Sequence, residues 1–261
     1  MPTTKLTIEY KGTRYQGWQE QAQGRTIQAE LKAAAKDLFK EEVDLVGSGR
    51  TDAGVHALAQ VAHMRTLRKR LPEQVSYGLN ERLPPDIHVL KVEPTTERFH
   101  ARHSAISRYY LYQVSTRRTA FAKDYVWWVK DPLDMEKMKI CAGMFEGRHD
   151  FRSFAERPDE LGSTIVVVDQ VRCDRVDDLI LIRFGASHFL WKMVRRLVGV
   201  MVKVGAGNLE IADAEDFIKK WSRDVGQHTA PASGLFLEKV VYPNDSPTST
   251  LRPAMPVCTP L

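Results

Sequence analysis

Acidic residues are missing from two long stretches of this 261-residue chain, and cysteine is scarce throughout. The three cysteines, Cys141, Cys173 and Cys258, are scattered. Without a close pair they offer no zinc-ligand spacing, and their odd number gives no disulfide framework. Two buried thiols and one tail thiol are expected. No uncharged run approaches the roughly 20 residues of a membrane-spanning helix. The first twenty residues carry Lys5, Glu9, Lys11 and Arg14, which is incompatible with a secretory signal. The expectation is a soluble, cytosolic protein, and 43% apolar residues can supply a core for one large or two medium domains.

What is present is basic charge arranged in a pattern. Net charge is only +5, from 38 Lys and Arg against 33 Asp and Glu, so the average says little about partners. From Arg98 to Lys123, however, there is no acid, and Arg98, Arg102, Arg108, Arg117, Arg118 and Lys123 alternate with Phe99, Tyr109, Tyr110, Tyr112 and Phe121. From Leu179 to Leu209 acids are absent again, leaving Arg183, Lys192, Arg195, Arg196 and Lys203. Cations neutralise phosphates, and aromatic faces accept unpaired bases. One such run would read as a solvated face. Two favour a nucleic-acid site.

Periodicity predicts the elements. "KLTIEY" alternates, with Leu6, Ile8 and Tyr10 on one side of a strand. After the polar, aromatic-bearing loop "KGTRYQGWQEQAQGR", Thr26 is placed to cap a helix bearing Ile27, Leu31, Ala34 and Leu38 on one face. Strands near Val43 to Val46 and Leu58 to Met64, a helix near Glu73 to Glu81 and the strand "IHVLKV" complete a strand, helix, strand, strand, helix, strand order. The order recurs in the strand "AISRYYLYQV", a helix near Met135 to Phe145, strands at Thr164 to Cys173 and Leu179 to Phe184, a long helix from about His188 to Val204, and the strand "GLFLEKVVY". An extra helix near Asp213 to Trp221 interrupts it. The predicted class is α+β: two ferredoxin-like (split βαβ) halves with antiparallel sheets joined around a basic central cleft. Residues 1–105 and 106–243 form the halves, and an irregular Pro-, Ser- and Thr-rich tail follows at 244–261.

One loop stands out chemically. "GSGRTDAGVHA", residues 47–57, frames Asp52 with Gly47, Gly49 and Gly54. A phosphate-cradling P-loop would follow Gly54 with Lys and then Ser or Thr, where Val55 and His56 stand. A dinucleotide fingerprint would need glycine at Asp52. What remains is a sharp turn that either uses Asp52 as a turn former or presents it as a reactive group, and local chemistry leaves both open. Four histidines, His56, His63, His100 and His103, raise the question of a metal. "HARH" lacks nearby Cys or carboxylate partners, and on a strand its two histidines would face opposite sides, which argues against one.

"GSGRTDAGVHALAQVAH" resembles the signature of the tRNA pseudouridine synthase A family, including Arg50, Thr51, Asp52, Gly54, Val55 and His56. "YKGTRYQGWQEQ", "LPPDIHV", "FHARHSA", "RYYLY", "FLWKMVRRLVG" and "GLFL" resemble its further blocks in order, so the resemblance spans about residues 5 to 243. It implies an isomerase that converts uridine to pseudouridine in tRNA, typically at positions 38 to 40 of the anticodon arm, without metal or organic cofactor and as a homodimer. It further implies Asp52 as nucleophile, Tyr110 stacking on the target base and helping to manage protons, Arg195 paired with the aspartate, Arg50 filling the space the nucleotide vacates, and Leu235 packing on the site. Trp191 and Lys192 stand where the family often has Tyr-Asn, which bears on local RNA contacts. A non-catalytic RNA-binding module built from two sheets would also account for the basic aromatic segments but not for the glycine-framed Asp52. A sugar hydrolase would want a second carboxylate across the scissile bond.

Overall fold

The structure is a computed structural model that describes residues 1–246 and 250–257. The chain divides into two compact units, Met1–Ile106 with Phe236–Pro247, and Ser107–Leu235 with Thr248–Leu261.

The first unit opens with β1 (Thr3–Tyr10), whose Leu6, Ile8 and Tyr10 are buried as the alternation requires. Helix α1 (Ile27–Phe39) follows, and Thr26 caps it by accepting a hydrogen bond from the Ala29 amide at 3.3 Å. The apolar face Ile27, Leu31, Ala34 and Leu38 is buried, so hydrophobic removal from water holds the helix to the sheet. Next come β2 (Asp44–Gly47), β3 (His56–Arg65), α2 (Pro72–Asn80) and β4 (Ile87–Thr95). The sheet runs β4-β1-β3-β2, every neighbour antiparallel, which is the split βαβ arrangement. Gly78 lets α2 approach α1, since a Cβ there would stand 2.6 Å from Leu38 Cδ1. The last strand, β10 (Leu235–Val241), follows the elements of the second unit in chain order, but from Phe236 onward it belongs to the first. It pairs in parallel with β3 through Phe236 and Leu237 opposite His56 and Ala57.

The second unit is built from β5 (Ser107–Ser115), β6 (Trp127–Trp128), α3 (Met135–Met144), β7 (Gly147–Asp150), β8 (Ile165–Val176), β9 (Leu179–Ala186), α4 (Met193–Gly205) and α5 (Ile211–Lys219). Its antiparallel sheet runs β5-β9-β8-β7, and α3 packs on β8 and α4. Helix α4 starts later than the predicted His188. Lys192 sits at φ 61°, a left-handed conformation that interrupts any helix beginning upstream. The two short strands β6 and β7 lack a period long enough to read.

Burial corrects the picture of alternating cations and aromatics. Tyr109, Tyr110 and Tyr112 are buried, whereas Phe121 is fully exposed. From Tyr109 to Ser115 every residue of β5 is buried, so the tyrosine rings of this segment belong to the core. In the second acid-free segment Arg183 is completely buried, donating to the Thr250 carbonyl at 2.7 Å, and Arg196 is 9% exposed. Those two cations serve packing as well as charge. The tail has no regular element among its described residues but is tied down: Gln113 Oε1 accepts from the amides of Ala254 at 2.6 Å and Met255 at 3.2 Å, and Val257 is buried. Cys141 and Cys173 are buried, and burial pushes both thiols up to about 12; Cys258 lies outside the described residues.

Candidate active-site loop and the residues of the second unit

The connection Ser48–Val55 between β2 and β3 carries Arg50 and Asp52, and its backbone is braced almost residue by residue. The Ser48 amide donates to the Val61 carbonyl at 2.7 Å, and Ser48 Oγ meets Gln60 Oε1 at 2.7 Å. Gln60 Nε2 donates to the Gly49 carbonyl at 3.0 Å. Thr51 is held twice: its carbonyl accepts from the Trp18 amide at 3.0 Å and its hydroxyl meets Tyr10 Oη at 2.8 Å. The Val55 amide closes the turn on the Asp52 carbonyl at 3.1 Å, and the Gly54 amide donates to the Tyr15 carbonyl at 3.3 Å. Gly54 takes φ +79°, which a side chain would resist.

Two of these braces, from Trp18 and Tyr15, come from the segment the sequence showed only as a polar loop. Trp18 and Tyr15 are buried there, not displayed. Trp18 lies so close to Gly47 that a Cβ on the glycine would stand 2.5 Å from the indole. Gly12 approaches Val55 more closely still: a Cβ would meet the Val55 carbonyl oxygen at 1.9 Å. The Gly12 amide donates to His56 Nδ1 at 3.1 Å, and the His56 ring stacks on Phe236 at 4.9 Å. An Nδ1 that accepts from an amide carries no proton, so His56 acts as a neutral brace. Tyr15 Oη donates to Asp86 of "LPPDIHV", and burial foremost, with that carboxylate, pushes the phenol well above its ordinary range.

The result is a tethered loop that carries Arg50 and Asp52. Asp52 is half-buried, whereas neighbouring Thr51 and Val55 are buried; Arg50 is exposed, its Nε donating to Gln19 Oε1 at 3.2 Å. Trp18, Tyr10 and Gln60 are contributors that sequence reasoning missed. The signal was there only in "YKGTRYQGW", where Gly12 and Gly17 mark close backbone approach.

Tyr110, Arg195 and Leu235 belong to the second unit. Tyr110 on β5 is 8% exposed and meets the Phe189 ring edge-on at 5.2 Å and 87°. Arg195 on α4 is fixed at two points: its Nε donates to the Ala230 carbonyl at 2.7 Å, and its own carbonyl accepts from the Ala230 amide at 3.0 Å. Leu235, first in β10, is 5% exposed. Tyr112 Oη donates to the Pro231 carbonyl at 2.8 Å, so the segment before Leu235 is tied to both β5 and α4. Two further positions of α4 are packed against neighbouring segments. Arg196 donates to the Ala155 carbonyl and Glu156, and Gly199 packs against the His228 carbonyl. Burial pushes the Glu156 carboxyl up, but Lys192 and Arg196 more than offset it and hold it below its usual value.

The histidines also differ from expectation. "FHARHS" is a turn, not a strand, and its His100 and His103 rings lie 4.3 Å apart with His63 4.7 Å from His100. Nonetheless, no group of three His, Cys, Asp or Glu among the described residues is disposed to hold a metal. His63 Nδ1 accepts from the Ala101 amide at 3.1 Å, and burial foremost depresses its pKa to about 4.

The class of this α+β chain is given by comparison with known proteins. The sequence profile described as tRNA pseudouridine synthase matches residues 6–104 and 141–243. The chain therefore belongs to the tRNA pseudouridine synthase family, isomerases that act on tRNA uridine. It is 38% identical over 244 residues to a protein named tRNA pseudouridine synthase A of Thermoanaerobacter sp. (strain X514), covering 93% of this chain and 100% of that one. It is 40% identical over 246 residues to the protein of the same name from Azorhizobium caulinodans, covering 93% and 95%. The corresponding Dictyoglomus thermophilum protein is 38% identical over 242 residues, covering 91% and 98%.

Proposed function

We propose that this isomerase converts uridine to pseudouridine in the anticodon stem-loop of tRNA, at positions 38, 39 and 40, with Asp52 as the nucleophile on a flipped-out uridine. The observation that carries the proposal is the loop itself: Thr51, Gly54 and Val55 are all bound through backbone or hydroxyl, so Asp52 is presented without freedom to drift. Rigid presentation of this kind is what positioning a reacting group requires.

The reaction breaks the bond between ribose carbon 1 and ring nitrogen, turns the base, forms a bond from the same carbon to ring carbon 5, and releases the hydrogen of that ring carbon as a proton while the freed ring nitrogen takes one up. Nothing is oxidised or reduced. An anionic Asp52 serves by attacking the sugar, by attacking the base, or by removing a sugar proton, and all three need the carboxylate ionised. Enclosure around a uracil pushes a carboxyl toward its neutral form, and a guanidinium beside it opposes that shift. Arg195 is assigned that part, and the two Ala230 bonds that hold its Nε and its backbone carbonyl support the assignment. Tyr110 offers a ring to the extruded base, offsetting part of the few kcal/mol of lost stacking. Arg50, exposed at the loop, takes the place the nucleotide leaves, and Leu235 packs on the site. The enzyme works in the cytoplasm, where its tRNA substrate is made in bacteria such as its relatives, and as a homodimer whose two subunits hold one RNA. No helix among the described residues is long and apolar enough to cross a membrane.

Incubation with tRNA carrying tritium at uracil carbon 5 tests the reading, because isomerisation releases the label to water. Asp52→Asn, nearly the same shape without the charge, is expected to bind tRNA and release no tritium. Release within about tenfold of wild type, about 1.4 kcal/mol in barrier, would remove Asp52 from the nucleophile's role. Restriction of the product to positions 38, 39 and 40 is read by mapping pseudouridine in the treated tRNA.

A further inference from the structure

The second unit contains a cavity of about 250 Å³ between the turn carrying Arg152 to Asp159, Arg196 of α4 and the segment Trp221 to Arg223. One water occupies about 30 Å³ of liquid, so there is room for a small anion with several waters. Four arginines line it, Arg152, Arg157, Arg196 and Arg223, against two carboxylates, Glu156 and Asp159. Four positive less two negative charges leave a net +2.

The carboxylates do not consume this charge evenly. Arg152 bridges Asp159 at 2.7 Å, and Glu156 takes Arg196 together with Lys192. Arg157, which lines the cavity, has only an exposed partner, Glu160 at 3.5 Å, and lies 5.5 Å from the Trp191 ring, while Arg223 forms no salt bridge among the described residues. Arg196 is nine-tenths buried, and its Nε has no hydrogen-bond partner. Natural proteins seldom leave a buried donor without an acceptor unless a ligand or water is expected nearby. Trp221 stiffens the rim: the Arg152 guanidinium lies 5.2 Å and that of Arg223 5.3 Å from its ring. Guanidinium groups held on an aromatic face keep their fork geometry at low entropic cost, the arrangement suited to phosphate oxygens.

We propose that this cavity is a phosphate subsite, filled by one backbone phosphate of the substrate RNA, with Arg157 and Arg223 as its direct ligands and Arg196 as the buried charge behind them. Choosing RNA as the source of the phosphate rests on the function proposed above; the cavity's chemistry does not. The subsite contributes affinity and not chemistry, since none of its residues is assigned to the reaction.

The test is the salt dependence of tRNA binding by the wild type and by the double variant Arg157→Gln/Arg223→Gln. Losing one phosphate contact lowers the slope of log K against log salt by about 1. Affinity near physiological salt should fall about fivefold or more, KM should rise by the same factor, and kcat at saturating RNA should not change. In a second arm, inorganic phosphate is titrated against chloride at matched ionic strength while the melting temperature is followed. Stabilisation of the wild type but not the variant, with no change in slope, would keep the subsite and assign it a free phosphate instead of an RNA one. An unchanged slope together with no phosphate effect overturns the proposal. If the double variant melts early, Arg223→Gln alone, whose guanidinium lies 5.3 Å from the Trp221 ring, replaces it with the same readouts. Binding is measured without turnover, so a wild-type protein that released no tritium would defeat the isomerase reading while leaving the phosphate result standing.

Discussion

Gly17 is the position at which a single added methyl group would report on the whole loop. It has φ +93°, and a Cβ there would stand 2.4 Å from the Thr51 carbonyl oxygen, 3.1 Å from the Asp52 carbonyl carbon and 3.2 Å from the Ala53 amide nitrogen. Every one of those atoms is backbone, so none can rotate away. Ordinary contact begins near 3.4 Å, so the Thr51 carbonyl must retreat by about 1 Å. That displacement breaks its bond to the Trp18 amide, now 3.0 Å long. Holding alanine in the left-handed region costs roughly 1–2 kcal/mol, and the lost hydrogen bond about 0.5–1.5 kcal/mol. Gly17→Ala should therefore lose about 1.5–3.5 kcal/mol of stability in chemical denaturation. A misplacement of about 1 Å at a reacting group can cost roughly a hundredfold in rate, so tritium release should fall by about that factor at saturating tRNA. Gly49→Ala is the control on the same loop. Nothing lies within 4 Å of its Cβ position, and its φ needs no glycine, so stability should stay within about 0.5 kcal/mol of wild type. A Gly17→Ala protein with wild-type turnover, or a Gly49→Ala protein as damaged as Gly17→Ala, would show that the loop is not held by the contacts described.

Three further outcomes are expected. Tyr110→Phe keeps the ring against Phe189 and removes only the hydroxyl; tRNA affinity should persist while kcat drops at least about tenfold, and wild-type kcat would relieve the hydroxyl of any part in proton handling. Thr26→Ala removes the oxygen that caps α1, costing about 1 kcal/mol and, in a chain of this size, roughly 2–4 °C of melting temperature; an unshifted melt would show that the cap bond is worth nothing here. His63, flanked by Arg65, His100 and Asp44, has its pKa lowered from 6.5 to about 4 by burial foremost. The unfolded chain therefore binds the extra proton first, and stability falls as pH drops from about 6.5 toward 4, by at most about 3 kcal/mol. His63→Gln should flatten that part of the pH profile, and an identical profile in the variant would place the acid sensitivity elsewhere.

The elements were legible where a period ran long enough to show. Leu6, Ile8 and Tyr10 alternate, Ile27, Leu31, Ala34 and Leu38 recur at helical spacing, and both sets are buried as their periods require. The late start of α4 was not legible, because Lys192 at φ 61° follows from local packing that no periodicity records. The buried state of Arg183 and Arg196 was hidden for a related reason. A cation's burial depends on whether the fold delivers an acceptor, here the Thr250 carbonyl, the Ala155 carbonyl and Glu156, all distant in sequence.

The order of residues alone determined the class of the chain and the identity of its acidic loop, because a contiguous run such as "GSGRTDAGVHA" carries its glycines and its carboxylate together whatever surrounds them. Only tertiary structure decided what holds that loop. Trp18 and Gly12 reach it from the far end of β1, and Gln60 reaches it from β3. The physical reason is range. Propensity and pattern act over a few neighbours along the chain, whereas a brace is a meeting of backbone atoms within about 3 Å, and that meeting exists only once the sheet has brought separate segments side by side.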